Sequence, residues 1–400
     1  MKVGFFLGNT SYQSGLYNAT KDVARCISGH GISVRYIFWH QRETMQADDD
    51  LINIWGLSKH KLSSRLFRKL SKSLLGYSVS EYLFSRLYSR QLEKFIKESG
   101  YDIVFFHGLN FVPFHSYKGK SYVVIHSCKY DNLITRRTGI KKIFYHKLYQ
   151  HLYSGKNILS VSNSARDDMV EKLRARPNSI ETIYNGFDFG KLEVKSNQPC
   201  NIALPERFIM AAGRADRTKR FDILIEAYSQ TKAKNQHKLV IFGDGKYITD
   251  LKKLAIELDL ADRIIFQGFV SPLNPIYKHA SLYVLSSDIE GLPTVIIESL
   301  IAKTPVVATN AGGVNELLTG KLNDFVCEKG DIESLARNID KSLALSLNVS
   351  YKDISFLDVE LVAMNYIEKI NALVTPEQIP PTTNTNNKLS SYDHPTCNTA

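Results

Sequence analysis

Short apolar runs alternate with longer amphipathic segments through most of the chain. In the first half the runs are Val3–Leu7, Ser33–Phe38, Ile103–Phe106, Tyr122–Ile125, Ile158–Val161 and Thr182–Tyr184. In the second they are Phe208–Ala212, Lys238–Phe242, Ile264–Phe266, Leu282–Leu285 and Pro305–Ala308. Runs of four to six apolar residues closed by Gly, Asn or Ser, with helical patterns between, predict parallel strands buried on both faces in βαβ units. The series restarts near residue 207 after the polar stretch 191–206. The pattern therefore predicts an α/β protein of two doubly wound domains, 1–190 and 207–356, with 191–206 as linker. Leu357, Leu361, Met364, Ile367 and Ile370 recur at helical spacing, predicting a last helix over 357–374 that packs back on the first domain. Residues 376–400 are Pro, Thr, Asn and Ser with almost no core formers, the composition of a disordered tail.

Composition agrees with this picture. The 400 residues are 44% hydrophobic and 23% charged, which excludes a wholly disordered or collagen-like chain. Five scattered cysteines with no C-x-x-C indicate neither a disulfide framework nor a zinc site, and a reducing compartment. No apolar run approaches the ~20 residues of a membrane span. The first run is too short for a signal-peptide core. These features predict a cytoplasmic protein, attached at most peripherally to the inner face of the cytoplasmic membrane.

Charge divides the halves. The net +11 arises from residues 1–190, which carry 28 basic and 15 acidic side chains, against 23 and 25 in the remainder. Residues 58–75 concentrate the excess: Lys59, Lys61, Arg65, Arg68, Lys69 and Lys72 accompany Leu62, Leu66, Leu70 and Leu74 at i, i+4 spacing. A basic amphipathic helix suits an anionic membrane surface, the alternative being a solvated helix packed by its leucine stripe. No nucleic-acid motif is present, and the basic segments lack the aromatic platforms of single-strand binders.

Candidate chemistry gathers after the strands of the second half. Arg214 and Lys219 follow Phe208–Ala212, where a guanidinium and an ammonium at a strand end would clamp a diphosphate. Gly243-Asp244-Gly245 follows the next strand. It is no dinucleotide fingerprint, since Ile248 stands where the third Gly belongs, and this argues against a dehydrogenase. The turn either faces a ligand or is purely structural. After Leu282–Leu285 comes Ser286-Ser287-Asp288-Ile289-Glu290-Gly291-Leu292-Pro293-Thr294, with Pro293 where the first turn of a helix begins. The free N–H groups of that turn favour an anion. Glu290 and Glu298, eight apart, would face the charged end and the hydroxyls of a polyhydroxylated diphosphate. In the first half His107 and His126 each end a strand, a position compatible with either a ligand site or packing.

Taken in order, Gly-Arg-x4-Lys, Gly-Asp-Gly, Gly-Phe, Ser-Asp-x-Glu-Gly-Leu-Pro-x4-Glu and Thr-Pro-Val-Val-Ala-Thr-x-x-Gly-Gly-x-x-Glu resemble the donor domain of the retaining GT-B glycosyltransferases, family 4 in particular. The resemblance is nearly continuous from Ile209 to Leu318 and looser before it. It implies a GT-B fold, with two Rossmann-like domains facing a central cleft and the first domain binding the acceptor. Arg214 and Lys219 would bind the donor diphosphate, Glu298 the ribose hydroxyls, and Glu290 with the backbone of Gly291, Leu292, Pro293 and Thr294 the sugar and phosphates. Gly243 would approach the ligand, Phe269 would frame the base, Gly15 would lie by the phosphates, and His126 would be the active-site histidine.

The implied reaction transfers a sugar with retention from a nucleotide-sugar donor, UDP-sugar first, to a lipid-linked or oligosaccharide acceptor, in bacterial surface polysaccharide or lipopolysaccharide synthesis. No cofactor or metal is implied. A sugar-nucleotide epimerase of the same fold is one alternative, and a basic nucleic-acid-binding protein, which no motif supports, is the other. Two departures stand out: Arg220 replaces the Gly that commonly follows the clamp lysine, and Ser14-Gly15 stands where a Gly-Gly pair is common.

Overall fold

Alternation along the strands decides which residues enter which core. In β1 (Lys2–Asn9), Val3, Phe5 and Leu7 face one buried cluster and Phe6 the other. In β8 (Phe208–Ala212), Phe208, Met210 and Ala212 face one side and Ile209 and Ala211 the other. Strands apolar on both faces need cover on both, which parallel βαβ connections supply. The computed structural model describes residues 1–9, 15–40, 49–51, 89–108, 116–345 and 349–374, with isolated positions between 70 and 82.

The first sheet comprises β1, β2 (Ser33–His40), β3 (Asp50–Leu51), β4 (Ile103–His107), β5 (Ser121–Ile125), β6 (Asn157–Ser160) and β7 (Ser179–Thr182), in the order β3-β2-β1-β4-β5-β6-β7. The second comprises β8, β9 (Lys238–Phe242), β10 (Ile264–Gly268), β11 (Leu282–Leu285), β12 (Val306–Thr309) and β13 (Val326–Cys327), in the order β10-β9-β8-β11-β12-β13. Every pairing in both sheets is parallel. Strand order reverses between β1 and β4 and between β8 and β11. A crevice opens at such a switch point beyond the strand C-termini, where ligands of open α/β sheets bind.

The chain crosses between the sheets twice. After β7 it runs into helix Phe189–Ser196, and at the end helix Val359–Val374 returns to pack on helix Gly15–Gly29. Tyr366 of the returning helix enters the first sheet's core, its ring 5.9 Å from Phe5 and 5.3 Å from Phe105.

Two local expectations are corrected. Residues 191–206 do not begin as linker: Asp188 accepts the Lys191 N–H at 2.8 Å as an N-cap, and Phe189 and Leu192 pack against the core. The strand expected at Thr182–Tyr184 lies at Ser179–Thr182, because a half-exposed edge strand needs few apolar residues. Helix Asn163–Asp167 is N-capped by Ser162, whose hydroxyl accepts from the Ala165 N–H. The basic segment 58–75, apart from Leu70 and Ser73, and the tail 376–400 lie outside the described residues.

Candidate active site in the interdomain cleft

β8 and β11 end side by side at the switch point of the second sheet, and their two loops interlock. The Asp288 N–H donates to the Thr218 carbonyl at 2.8 Å, and the Ser286 hydroxyl to the Lys219 carbonyl at 2.8 Å. This stitching brings Lys219 Nζ to 2.7 Å from Glu290 Oε1, both side chains being largely buried. Arg214 reaches out beside them, 80% exposed and paired with Asp216 at 2.9 Å. Burial works against the charge of Asp216, yet the hydroxyl and N–H of Thr218, with Arg214, hold its carboxyl below the usual range. The sequence-predicted cations and Glu290 thus share one strand edge.

Arg220 shows why its position is commonly glycine. Its φ is +49°, in the left-handed region that side chains resist. The conformation is held by the guanidinium, which pairs with Asp222 at 3.0 Å and Asp288 at 3.1 Å. Asp288 belongs to the Glu290 loop, so Arg220 fastens that loop to the clamp.

Helix Thr294–Ile301 follows with Pro293 at its N-cap, one position earlier than a first-turn proline. The Leu292 side chain is buried in the core, which leaves its backbone to face the loop. Glu298 lies one turn into the helix, where burial pushes its carboxyl up to about 7, against the pull of the Tyr277 hydroxyl and Lys195. The Tyr277 hydroxyl, itself fully buried, is the group that lies against it. Phe269 is 73% exposed and, with Gly213, Arg214, Gly243 and Val270, lines an apolar recess of about 430 Å³ beside the clamp. Gly243 has φ +121°, and a Cβ there would lie 2.0 Å from the Gly213 carbonyl oxygen. Packing of backbone on backbone explains this glycine without a ligand.

The first half contributes the opposite wall. His126, just past β5, lines a cleft of about 690 Å³ with Arg136, Arg214, Arg217, Lys246 and Glu290. Burial, then the Lys129 charge, pushes the His126 ring down to about 3, so it is neutral at physiological pH. Gly15 opens helix Gly15–Gly29 after β1, in the first half.

Contacts across the cleft are specific. The Ser162 hydroxyl donates to the Gly291 carbonyl at 3.0 Å. Glu316 accepts the N–H groups of Asn163 and Ser164 at 2.8 and 2.9 Å, and the Tyr184 hydroxyl at 2.7 Å. A carboxylate from one half therefore caps a helix of the other. Sequence reading noted Glu316 only as part of a motif; its partners lie about 150 positions away, with no local signal.

Two doubly wound sheets facing a cleft, with a cationic switch point, define the GT-B glycosyltransferase arrangement. Residues 15–191 match the family model described as Glycosyltransferase Family 4, and residues 195–353 that described as Glycosyl transferases group 1. An uncharacterised glycosyltransferase of Haemophilus influenzae is 27% identical over 360 residues, 85% of this chain and 89% of that protein. The N-acetylgalactosamine-N,N'-diacetylbacillosaminyl-diphospho-undecaprenol 4-alpha-N-acetylgalactosaminyltransferase of Campylobacter jejuni is 30% identical over 223 residues, 54% of this chain and 59% of that protein. Anabaena HepE, solved with UDP and glucose, superposes with a TM-score of 0.66 at 17% identity, covering 93% of this chain and 100% of that one. Two glycosyltransferase domains in tandem on a GT-B frame make this chain a glycosyltransferase.

Proposed function

We propose that this glycosyltransferase moves a sugar, with retention of configuration, from a UDP-sugar to a lipid-linked or glycan acceptor in the synthesis of bacterial surface polysaccharide or lipopolysaccharide. The observation that carries the donor assignment is the switch-point clamp: Lys219 paired to Glu290, with exposed Arg214 beside it and the N-terminus of helix Thr294–Ile301 close by. Cleaving the bond between the anomeric carbon and phosphate leaves negative charge on the diphosphate. Arg214, Lys219 and the free N–H groups of the helix are placed to stabilise it. Glu298 takes the ribose hydroxyls, Phe269 and Val270 frame the base, and Glu290 and His126 face the sugar.

The name of the Campylobacter relative, whose acceptor is linked to diphospho-undecaprenol, supports an acceptor on a lipid diphosphate. The HepE complex with UDP supports the uridine nucleotide. Arg136, Arg217 and Lys246 at the cleft also favour an anionic acceptor. The first domain, 1–190, presents it, and the basic segment 58–75 docks the enzyme on anionic lipid. No helix among the described residues is long and apolar enough to cross a membrane.

A panel of nucleotide sugars screened by thermal shift tests the reading, since a bound donor at a hundred times its Kd stabilises by about 2.7 kcal/mol. A UDP-sugar should raise Tm in the wild type and fail to do so in Arg214→Ala. Absence of a shift with every nucleotide sugar would overturn the donor assignment. Turnover of the donor without acceptor, giving an epimer, would favour the epimerase instead.

A further inference from the structure

His107 ends β4 and His126 follows β5, on neighbouring strands at the rim of the cleft. The His107 ring has no exposed surface and lies 4.7 Å from the Phe5 ring, centroid to centroid. Its Nδ1 is 3.2 Å from His126 Nε2, while its own Nε2 has no hydrogen-bond partner among the described residues. Packing alone does not favour such a residue, because an apolar ring of similar size would fill the space without an unmet polar atom.

One proton must lie between the two facing nitrogens, and its position can be argued. If it belonged to His126 Nε2, neutral His107 would carry its proton on the buried Nε2, as an N–H with no acceptor. Orphaned buried N–H groups are rarer than bare acceptor lone pairs. We propose that His107 is a positioning residue: its Nδ1–H donates to His126 Nε2 and holds His126 in the tautomer protonated on Nδ1. The nitrogen that His126 has left for substrate is then a hydrogen-bond donor and not a base. It can hold a sugar hydroxyl or a developing negative charge, and it is removed from the candidates for accepting the acceptor's proton. This rests on the reading of the cleft as the sugar-transfer site.

The amide of Asn overlays imidazole Nδ1 and that of Gln overlays Nε2, so the two variants separate geometry from bulk. His107→Phe should lower kcat about 10-fold through loss of orientation while KM for the donor changes by less than about twofold. His107→Asn should restore kcat to near wild type, and His107→Gln should not. Independently of any variant, ring 15N shifts of the intact wild-type protein should show His126 protonated at Nδ1. Protonation at Nε2, or a folded His107→Phe enzyme with wild-type kcat, would overturn the proposal. His126→Ala with unchanged kcat would instead sink the site assignment, and the 15N result would stand apart from it.

Discussion

Gly291 occupies a point where the two walls of the cleft touch. A Cβ at this position would lie 2.2 Å from the carbonyl oxygen of His126 and 2.8 Å from its carbonyl carbon. Carbon and oxygen atoms that are not bonded need a little over 3 Å, so Gly291→Ala must move the walls apart by about 1 Å. No rotamer change relieves the clash, because both partners are backbone. The Gly291 loop cannot retreat freely either: its carbonyl accepts from the Gly313 N–H at 2.8 Å and from Ser162. The least costly response is to open the cleft, which separates His126 from Glu290. A 1 Å misplacement of reacting groups costs about 100-fold in rate. Gly291→Ala should therefore lower kcat about 100-fold. Donor affinity should fall far less than kcat, since Arg214, Lys219 and Glu298 all lie in the second half. Overpacking of about 1–3 kcal/mol would lower Tm by several degrees at most. Steady-state kinetics, donor calorimetry and scattering measurements of the radius of gyration follow the three consequences. Gly29, with nothing within 4 Å of its would-be Cβ, serves as the control for Gly→Ala itself. A Gly291→Ala enzyme with wild-type kcat would refute the argument that this contact sets the reactive geometry.

Glu298 should behave oppositely in stability and in function. Its folded pKa of about 7 stands above the ordinary carboxylate value, so the native state holds a proton between about 4.5 and 7 that the unfolded state has released. Stability therefore falls as pH rises through that window, and above it the buried charge is a full penalty. Glu298→Gln should raise Tm at pH 8 relative to wild type, leave it nearly unchanged at pH 4.5, and abolish donor binding; equal pH profiles of Tm would refute the first part. For Arg220, replacement by Gly removes the left-handed strain along with the ion pairs, whereas Ala removes only the pairs. Denaturant titration should show Arg220→Ala about 1 kcal/mol less stable than Arg220→Gly, and the reverse order would contradict the role assigned to φ.

Much of the fold was legible because its strands are apolar on both faces and its helices on one, a pattern that survives without any tertiary information. The charged motifs of the second half were legible for a different reason: a strand end, a glycine and a charge within a few residues form a local unit. Helix Phe189–Ser196 escaped because its cap, Asp188, and two apolar contacts are a thin signal inside a polar stretch. The meaning of Gly243 and Gly291 escaped because each glycine is required by a carbonyl from elsewhere in the chain, Gly213 in one case and His126 in the other. The pairing of His107 with His126 was equally hidden. Each residue could be read as the end of a strand, but only the parallel register of β4 and β5 makes them neighbours.

The returning helix Val359–Val374 has a consequence for how the protein is made. Synthesis proceeds from the N-terminus, yet the aromatic cluster of Phe5 and Phe105 is sealed by Tyr366, among the last of the described residues to be translated. The first half must wait on the ribosome with an apolar face uncovered while the second half, which needs nothing from beyond residue 345 for its sheet, completes itself. Order of birth and order of completion are reversed. A nascent chain stalled before residue 359 would thus be the species most in need of a chaperone, and a recombinant first half would need this helix supplied to it, covalently or as a separate peptide.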